Sequence, residues 1–461
     1  MILIYSQSDT PRVTWTIDLV MGRLLGLEYR ITTLPDEISS FGGPKINYSD
    51  SPMGDIPWIP ASGLLFEDGI SDQSSRLNPG TWKNLKTLFH TSIPEYRDLR
   101  FAPTSSTIST ISTISTSSTQ LLPFDLFSAV FYLVSRYEEY LPFEPDEHGR
   151  FPSSESLSFR MGILEEPVVN QWALAFGDEL EKLFPDQIRI KKTEYRFLPT
   201  IDVDNAWAYA HKGWKRTIGG FWQNRKNIEA RNFRFQVLRE NQNDPYDTYN
   251  LIARFHQDAG VRAKWFFLIG EYGPFDKNIS PHNQHFKKLI QRIARNETVG
   301  IHPSYGSNGS PGLVAREVKT LSGIIGQPVG VSRQHYLKIS FPHTYRVLIR
   351  LGIREDYSMG YPDRPGFRAG IASPFRFFDL GENKPADFTV YPFPVMDQTL
   401  RQYCSLEPKE ALARIVDLAE KVRRVGGTFI TLWHNESLSE WNEWAGWTEV
   451  YRQMLIQVKS E

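Results

Sequence analysis

Two carboxylates stand close together at the end of a strand-like run in the middle of the chain. The run starts at Phe197, continues through Thr200 and Asp202, and is followed directly by Asp204. Residues two apart in a strand project to the same side, so Asp202 and Asp204 would lie together at its end. One carboxylate of such a pair can bind a metal ion while the other accepts a proton. The alternative is structural, with Asp204 capping the next helix and Asp202 exposed to solvent.

Histidine and arginine occur at the ends of further predicted strands. Three of the ten histidines and one arginine fall at such positions: His302, Arg333, His335 and His434. In a parallel α/β barrel the carboxyl ends of the strands share one pocket, so these side chains would join the two aspartates. The sequence therefore predicts a shared His/Asp site.

The donor types suggest which chemistry the shared site performs. Imidazole and carboxylate ligands without a thiolate suit zinc or another first-row divalent ion. Beside such an ion, Asp202 could deprotonate a water molecule and His434 could protonate a leaving amine or alcohol. Arg333 could orient Asp202 or hold the substrate.

Strands and helices alternate over the second part of the chain, residues 195–461. Strand-like runs occupy 197–204, 263–270, 298–303, 328–334, 353–357, 388–394 and 427–434. Helical patterns lie at 245–259, 281–296, 311–325, 341–351, 407–425 and 439–458. Apolar strands alternating with amphipathic helices indicate a parallel sheet. Seven strands predict an α/β fold with a distorted (β/α) barrel, and a doubly wound open sheet is the alternative.

Residues 1–194 form a separate region that precedes this barrel. We predict a smaller α/β or α+β accessory domain here, with helices at 124–140 and 167–183. A low-complexity stretch at 104–119 contains Ile-Ser-Thr three times in succession, and we predict a flexible loop there.

Composition restricts the classes of function. The chain has 461 residues and a formal net charge of −1, which gives no global field that would attract nucleic acid. Its single cysteine, Cys404, excludes a disulfide within the chain and a thiolate metal site. We see no signal peptide and no membrane span, and we expect a cytoplasmic protein. The oligomeric state is left open.

The order of the motifs resembles that of the polysaccharide deacetylases, the family-four carbohydrate esterases. The matching segments are Thr200-Ile201-Asp202, His302, Arg333 and Leu432-Trp433-His434. The resemblance implies a distorted barrel of about seven strands and metal-dependent removal of an acetyl group from a sugar. It also implies that Asp202 is the catalytic base, that Asp204 is a metal ligand and that His434 is the general acid.

The second motif departs from the family pattern. The family usually has a second histidine four residues after the first, and Gly306 occupies that position here. We expect His335 to replace it as the third metal ligand, together with Asp204 and His302. Asn308 is a weaker substitute, and loose or absent metal binding is the remaining alternative.

We expect four residues to contact a carbohydrate substrate. Asp356 lies about where the family's fourth motif would be, and Arg368 lies in a Gly-rich basic segment that could equally be a turn. Tyr305 and Trp433 are the other two. In the first region, 135–140 and 146–151 resemble the N-terminal domain attached to a group of bacterial deacetylase-like proteins.

Three functions are consistent with these residues. The first is a metal-dependent hydrolase that removes an acetyl or other acyl group from an amino sugar in a polysaccharide or its precursor. The second, motivated by Gly306, is a decayed deacetylase barrel that binds or assembles carbohydrate without catalysis. The third is a glycosidase, for which Asp202 and Asp204 lie too close together, so that Asp356 would have to partner Asp202.

Overall fold

The computed structural model describes residues 1–91, 119–213, 228–239 and 242–459. The loop predicted at 104–119 lies outside these ranges except for Thr119. Within them the chain forms two main sheets, each of which follows its own part of the sequence. No helix among the described residues is long and apolar enough to cross a membrane.

The first sheet is small and entirely parallel. Its strands lie in the spatial order β2-β1-β3-β4, with these bounds: β1 Ile2–Ser6, β2 Tyr29–Thr32, β3 Lys45–Ser49 and β4 Trp58–Pro60. A short antiparallel hairpin follows, consisting of β5 Gly80–Trp82 and β6 Leu85–Thr87. The helices of this region are α1 Pro11–Ile17, α2 Pro35–Ser40, α3 Leu126–Val134, α4 Leu157–Arg160 and α5 Val168–Leu183.

The helix predicted at 124–140 ends earlier than its apolar pattern suggests. Helix α3 starts after Asp125, whose side chain accepts a hydrogen bond from the backbone of Ser128, and every α3 residue is buried. Arg136 then adopts a left-handed conformation with φ 58°, which breaks the helix, and a 3₁₀ turn covers Tyr137–Tyr140. The break turns the Arg136 side chain into a buried ion pair with Glu139.

The second sheet is curled and has nine strands. In chain order they are β7 Arg196–Val203, β8 Lys264–Leu268, β9 Thr298–His302, β10 Val331–Ser332, β11 Glu355–Asp356, β12 Phe375–Asp379, β13 Lys384–Val390, β14 Val395–Met396 and β15 Thr428–His434. Their spatial order is β12-β13-β11-β10-β9-β8-β7-β15-β14, and only the β12–β13 pair is antiparallel. The two edge strands, β12 and β14, are not paired with each other, so the described sheet is open.

The predicted count of seven strands is therefore wrong for this sheet. Each of the seven predicted runs contains a strand, but β12 and β14 are additional, and the run predicted at 388–394 overlaps only the end of β13. Strand β12 is an edge strand that pairs antiparallel with β13 in a hairpin-like arrangement, which the search for parallel β/α units does not detect.

Helices between the strands of the second sheet cover its apolar residues. They are α6 Ile228–Leu238, α7 Tyr249–Ala259, α8 Gln284–Ala294, α9 Pro311–Ile325, α10 His343–Arg350, α11 Pro408–Arg424 and α12 Trp447–Val458. The last helix starts eight residues later than the predicted 439, because 3₁₀ turns and Gly446, with φ 84°, precede it.

One hydrophobic core extends across both parts of the chain. Trp15 of α1 contacts Phe378 of β12 with ring centroids 5.5 Å apart, and Phe131 of α3 contacts the same ring at 5.1 Å. The indole N–H of Trp15 also donates to the carbonyl of Arg376, 3.1 Å away. The edge of the second sheet is thus buried against the first region, which protects the open edge at β12.

Candidate metal and catalytic site

Four neighbouring strands bring the predicted site residues to one edge of the second sheet. Asp202 is paired with His434 in the register of β7 and β15, and His302 ends β9 two strands away. Arg333 and His335 follow directly after β10, which pairs with β9. Parallel strands all end at the same edge, so their carboxyl-terminal side chains meet.

Three of these side chains converge as candidate metal ligands. One ligand atom from each of Asp204, His302 and His335 lies within 4.8 Å of the other two. His302 Nε2 is 3.2 Å from Asp204 Oδ1, and His335 Nε2 is 3.3 Å from Asp204 Oδ2. These spacings suit three ligands around one ion, with positions left for water or substrate.

The two imidazoles are held so that their Nε2 atoms face Asp204. His302 Nδ1 donates to the carbonyl of Arg333 at 2.6 Å, and His335 Nδ1 lies 2.9 Å from a carboxylate oxygen of Asp276. Acceptors on both Nδ1 atoms place the protons there and leave each Nε2 lone pair for a metal ion. Asp204 Oδ1 is buried and accepts no hydrogen bond among the described residues, as expected of an atom that binds a cation.

The electrostatics of this group suit a divalent ion. Burial alone would raise the pKa of Asp204, but the neighbouring rings of His335 and His302 lower it well below its usual range. Burial alone would lower the pKa of His335, but Asp204 and Asp276 raise it to about 9. A cation that binds here therefore replaces a proton on His335.

Asp202 lies beside the ligand group and is held by Arg333. The guanidinium Nη1 of Arg333 donates to Asp202 Oδ1 at 2.8 Å and to Thr200 Oγ1 at 2.7 Å, while Nε donates to the carbonyl of Tyr357. Both side chains are almost fully buried, with exposures of 0% and 2%. The second oxygen of Asp202 is 3.7 Å from His302 Nε2. This arrangement orients the carboxylate and leaves one oxygen facing the site.

His434 lies next to Asp204 of the ligand group and is held by Asp397. Its Nδ1 is 2.8 Å from Asp397 Oδ1, and its backbone N–H donates to Asp397 Oδ2 at 2.7 Å. Its Nε2 is 3.7 Å from Asp204 Oδ2. Burial would lower the pKa of His434, but Asp397, with Asp204 and Asp202 farther away, raises it to about 10. The ring is thus kept protonated, which suits a general acid.

A cavity of about 330 Å³ opens above these groups. Its polar lining residues that have not yet been described are Arg150, Asn205, Lys277, Gln334, Gln398, Gln402, Tyr403 and Glu436. Tyr403 is 48% exposed at the rim. Burial raises the pKa of Glu436 to about 7. A second cavity of about 610 Å³ adjoins the first, and Phe275 lines both.

Three of the four residues expected to contact substrate have other contacts. Asp356 is fully buried and accepts hydrogen bonds from Ser332, Tyr345 and Ser358. Arg368 is 1% exposed and pairs with Glu139 of the first region. Neither residue lines the cavity, so the structure does not support a substrate contact at either one.

Trp433 points away from the site because it alternates with His434 along β15. Its ring packs against Tyr451 at 4.9 Å and Trp447 at 6.2 Å, so it belongs to the core beneath α12. Tyr305 is the exception among the four, because it lines the adjoining cavity and its ring lies 4.3 Å from Phe275. Its placement is compatible with a contact to an extended substrate.

Sequence reasoning missed Asp276, Asp397 and Arg150. Asp276 and Asp397 follow β8 and β14, and each orients a histidine that lies far away in sequence. Arg150 comes from the first region and lines the cavity. Arg150 lies in the segment 146–151, whose resemblance to an N-terminal domain did not indicate a place in the cavity, and Asp276 and Asp397 are not part of a local motif. The only available signal was the general rule that histidines in metal and acid–base sites have a carboxylate partner, which indicates a residue type and no position.

Comparison with known families divides the chain in the same place as its two sheets. Residues 2–185 match a family of unknown function, DUF7033. No curated protein matches the chain.

Several solved structures are similar to somewhat more than half of the chain. A polysaccharide deacetylase from Bacillus cereus is 13% identical over 59% of this chain and 92% of its own, with a TM-score of 0.28. PuuE allantoinase is 10% identical over 58% and 87%, with a TM-score of 0.38. A family-four carbohydrate esterase pseudoenzyme from Bacillus anthracis is 14% identical over 60% and 66%, with a TM-score of 0.30. These neighbours are named as a deacetylase, an allantoinase and a pseudoenzyme, and with TM-scores this low they leave the reaction to be inferred from the residues themselves.

Proposed function

We propose that this chain is a metal-dependent hydrolase that removes an acetyl group from a sugar. The observation that carries the proposal is the convergence of Asp204, His302 and His335 between a carboxylate held by arginine and a histidine held by aspartate. A metal site alone could be structural. A base and an acid beside it are what hydrolysis of an acyl bond requires.

The ligand set supports zinc or another first-row divalent ion. Asp204, His302 and His335 would hold it, and when bound it would polarise the acyl carbonyl and lower the pKa of water. His335 supplies the third ligand that Gly306 cannot, which favours an enzyme over a decayed binding protein.

The remaining residues move protons. Asp202 accepts a proton from the attacking water, and Arg333 holds its carboxylate in place by a hydrogen bond. His434 then donates its Nε2 proton to the departing amine or alcohol, while Asp397 stabilises the imidazolium before transfer. The base and the acid lie on different strands, so each can face one side of the acyl carbon.

The cavity lining supports a carbohydrate substrate. Gln334, Gln398 and Gln402 offer amide donors and acceptors for sugar hydroxyls, and Tyr403 offers an exposed ring at the rim.

Acetate release tests the proposal. The purified full-length chain is loaded with one equivalent of zinc and incubated with N-acetylglucosamine oligomers and with O-acetylated sugars. We expect acetate from at least one substrate, with loss of release after chelation and recovery when zinc is restored. Matched samples of Asp202→Asn and His434→Ala, checked for wild-type circular dichroism, should release none. Release by both variants at the wild-type rate, or none by the wild type on any substrate, would reject the proposal.

A further inference from the structure

The first region supplies part of the wall of the catalytic cavity. A turn at residues 146–150 lies against the segment that follows β10, and Arg150 lines the same cavity as Asp202, Asp204 and His434. The region that matches a family of unknown function is thus in contact with the candidate active site. This contact distinguishes the first region from a domain that is only covalently attached, because it places a charged side chain in the wall of the cavity.

The turn that carries Arg150 is rigid. The carboxylate of Asp146 accepts hydrogen bonds from the backbone N–H groups of His148 and Arg150 at 2.9 and 2.8 Å. Gly149 occupies the left-handed region with φ 73°, which allows the chain to reverse within four residues. Local hydrogen bonds therefore fix the turn independently of any ligand.

Aromatic contacts fix the turn to the second sheet. The His148 ring lies 4.8 Å from that of Tyr336 and 5.7 Å from that of Tyr305, and it meets Phe275 at 5.6 Å. Tyr336 directly follows the candidate ligand His335, and Phe275 directly precedes Asp276. A small displacement of the turn would thus change the packing of the residues that surround the candidate metal ligand His335.

The Arg150 guanidinium is held at two of its three nitrogens. Nε donates to Asp146 Oδ2 at 2.7 Å, and Nη1 donates to the carbonyl of Tyr336 at 2.9 Å. Nη2 forms no hydrogen bond to any described residue, although the side chain is only 5% exposed. A fixed guanidinium with unused N–H groups loses little conformational entropy when it binds an oxygen ligand, and such groups favour carboxylates and phosphates.

Charges are distributed unevenly around the cavity. Arg150 and Lys277 belong to the wall beside His335, and Lys277 is the residue next to Asp276. Glu436 belongs to the wall beside His434. A substrate would therefore meet two cationic side chains, Arg150 and Lys277, in the lining of the cavity beside His335.

From this geometry we propose that Arg150 makes the first region a specificity element, binding an anionic group on the acetylated sugar. A carboxylate or phosphate on the sugar would accept hydrogen bonds from Nη2 while the acyl group lies at the metal ligands. The inference rests on the proposed function for the identity of the sugar, but it concerns binding and not turnover.

Binding of matched sugars tests it. Isothermal titration is carried out on zinc-loaded full-length protein carrying Asp202→Asn, which suppresses turnover. The probes are N-acetylglucosamine, N-acetylmuramic acid, which adds a carboxylate, and N-acetylglucosamine 6-phosphate. We expect at least one anionic probe to bind tenfold or more tightly than the neutral sugar. Adding Arg150→Gln should remove most of that preference, whereas Arg150→Lys should retain part of it.

A control variant separates local from general charge effects. Arg160 lies in the same region and is exposed, so Arg160→Gln removes the same charge and should leave the preference unchanged. Thermal melting of each variant checks the fold, and Arg150→Lys provides the test if Arg150→Gln is unfolded.

The outcomes distinguish this inference from the proposed function. No preference for either anion, or a preference that persists in Arg150→Gln because the anion binds zinc directly, would overturn the role of Arg150. A preference that disappears in Arg150→Gln, in a protein that releases no acetate from any substrate, would support the anion site while rejecting the deacetylase.

Discussion

The molecule contains two buried clusters of charged side chains. They differ in whether all of their polar atoms form hydrogen bonds. The catalytic cluster consists of Asp202, Asp204, His302, Arg333 and His335 at the edge of the second sheet. The junction cluster consists of Arg136, Glu138, Glu139 and Arg368, where the first region meets the second.

In the junction cluster the charges are balanced by direct pairs. Glu139 accepts from Arg136 and from Nε and Nη2 of Arg368, and Arg136 also pairs with Glu138 at 2.9 Å. In the catalytic cluster, by contrast, Asp204 Oδ1 and Arg333 Nη2 are buried without a hydrogen bond among the described residues. A buried polar atom without a hydrogen bond is costly unless a ligand binds it, so the cluster that retains such atoms is the better candidate for function. The paired one is the better candidate for structure.

The largest effect should come from removing the base in the catalytic cluster. Asp202→Asn keeps the shape and loses the proton acceptor, so acetate release should fall by about 10²–10⁴-fold. The measurement is the initial rate with excess zinc, alongside the melting temperature. A rate within threefold of wild type would contradict the proposed difference between the two clusters, because the catalytic cluster would then be structural too.

In the junction cluster the corresponding change should affect stability. Glu139→Gln leaves Arg136 and Arg368 buried without their shared anion, and we expect a loss of about 3–5 kcal/mol in the free energy of unfolding. Urea titration measures it. Glu449→Gln removes one partner of an exposed ion pair and should change stability little. The comparison fails if Glu139→Gln is as stable as the control.

A residue outside the predicted site should control metal affinity. Asp276→Asn weakens the partner of His335 Nδ1, and we expect zinc affinity to fall about 10–100-fold. Competition with a chromogenic chelator gives the affinity, and the absorption spectrum of the cobalt-loaded protein reports on ligand geometry. Asp356→Asn, a buried aspartate away from the ligands, is the matched control. Equal zinc affinity in wild type and Asp276→Asn would show that His335 needs no orienting partner.

The smallest effect should be a shift of the pH–rate profile along the pH axis. The folded-state pKa of His434 is raised by Asp397, so the protonated ring persists to higher pH and activity is lost as pH rises through that pKa. Asp397→Asn removes the stabilising charge, so the basic limb of the pH–rate profile should move down by on the order of one unit. A limb that does not move, or one that moves upward, would contradict the role of Asp397.

The separation into two parts shows where local patterns were informative. Apolar runs alternating with amphipathic helices located strands of the second sheet because strands buried on both faces give continuous hydrophobic segments. The early end of α3 was missed because a left-handed conformation at Arg136 overrides an unbroken apolar pattern, and the Arg136 side chain donates to the distant carbonyl of Arg368. The sequence predicted a domain boundary between residues 194 and 195, and that boundary stays a prediction.

The sequence by itself determined which residue types end the strands, because alternation along a strand and a shared edge follow from backbone geometry. It therefore placed Asp202, Asp204, His302, Arg333, His335 and His434 at one site. Only the tertiary structure decided that Asp276, Asp397 and Arg150 join them, and that Asp356, Arg368 and Trp433 do not. The reason is physical: a hydrogen bond between loops separated by tens or hundreds of residues depends on packing, and no local periodicity records it.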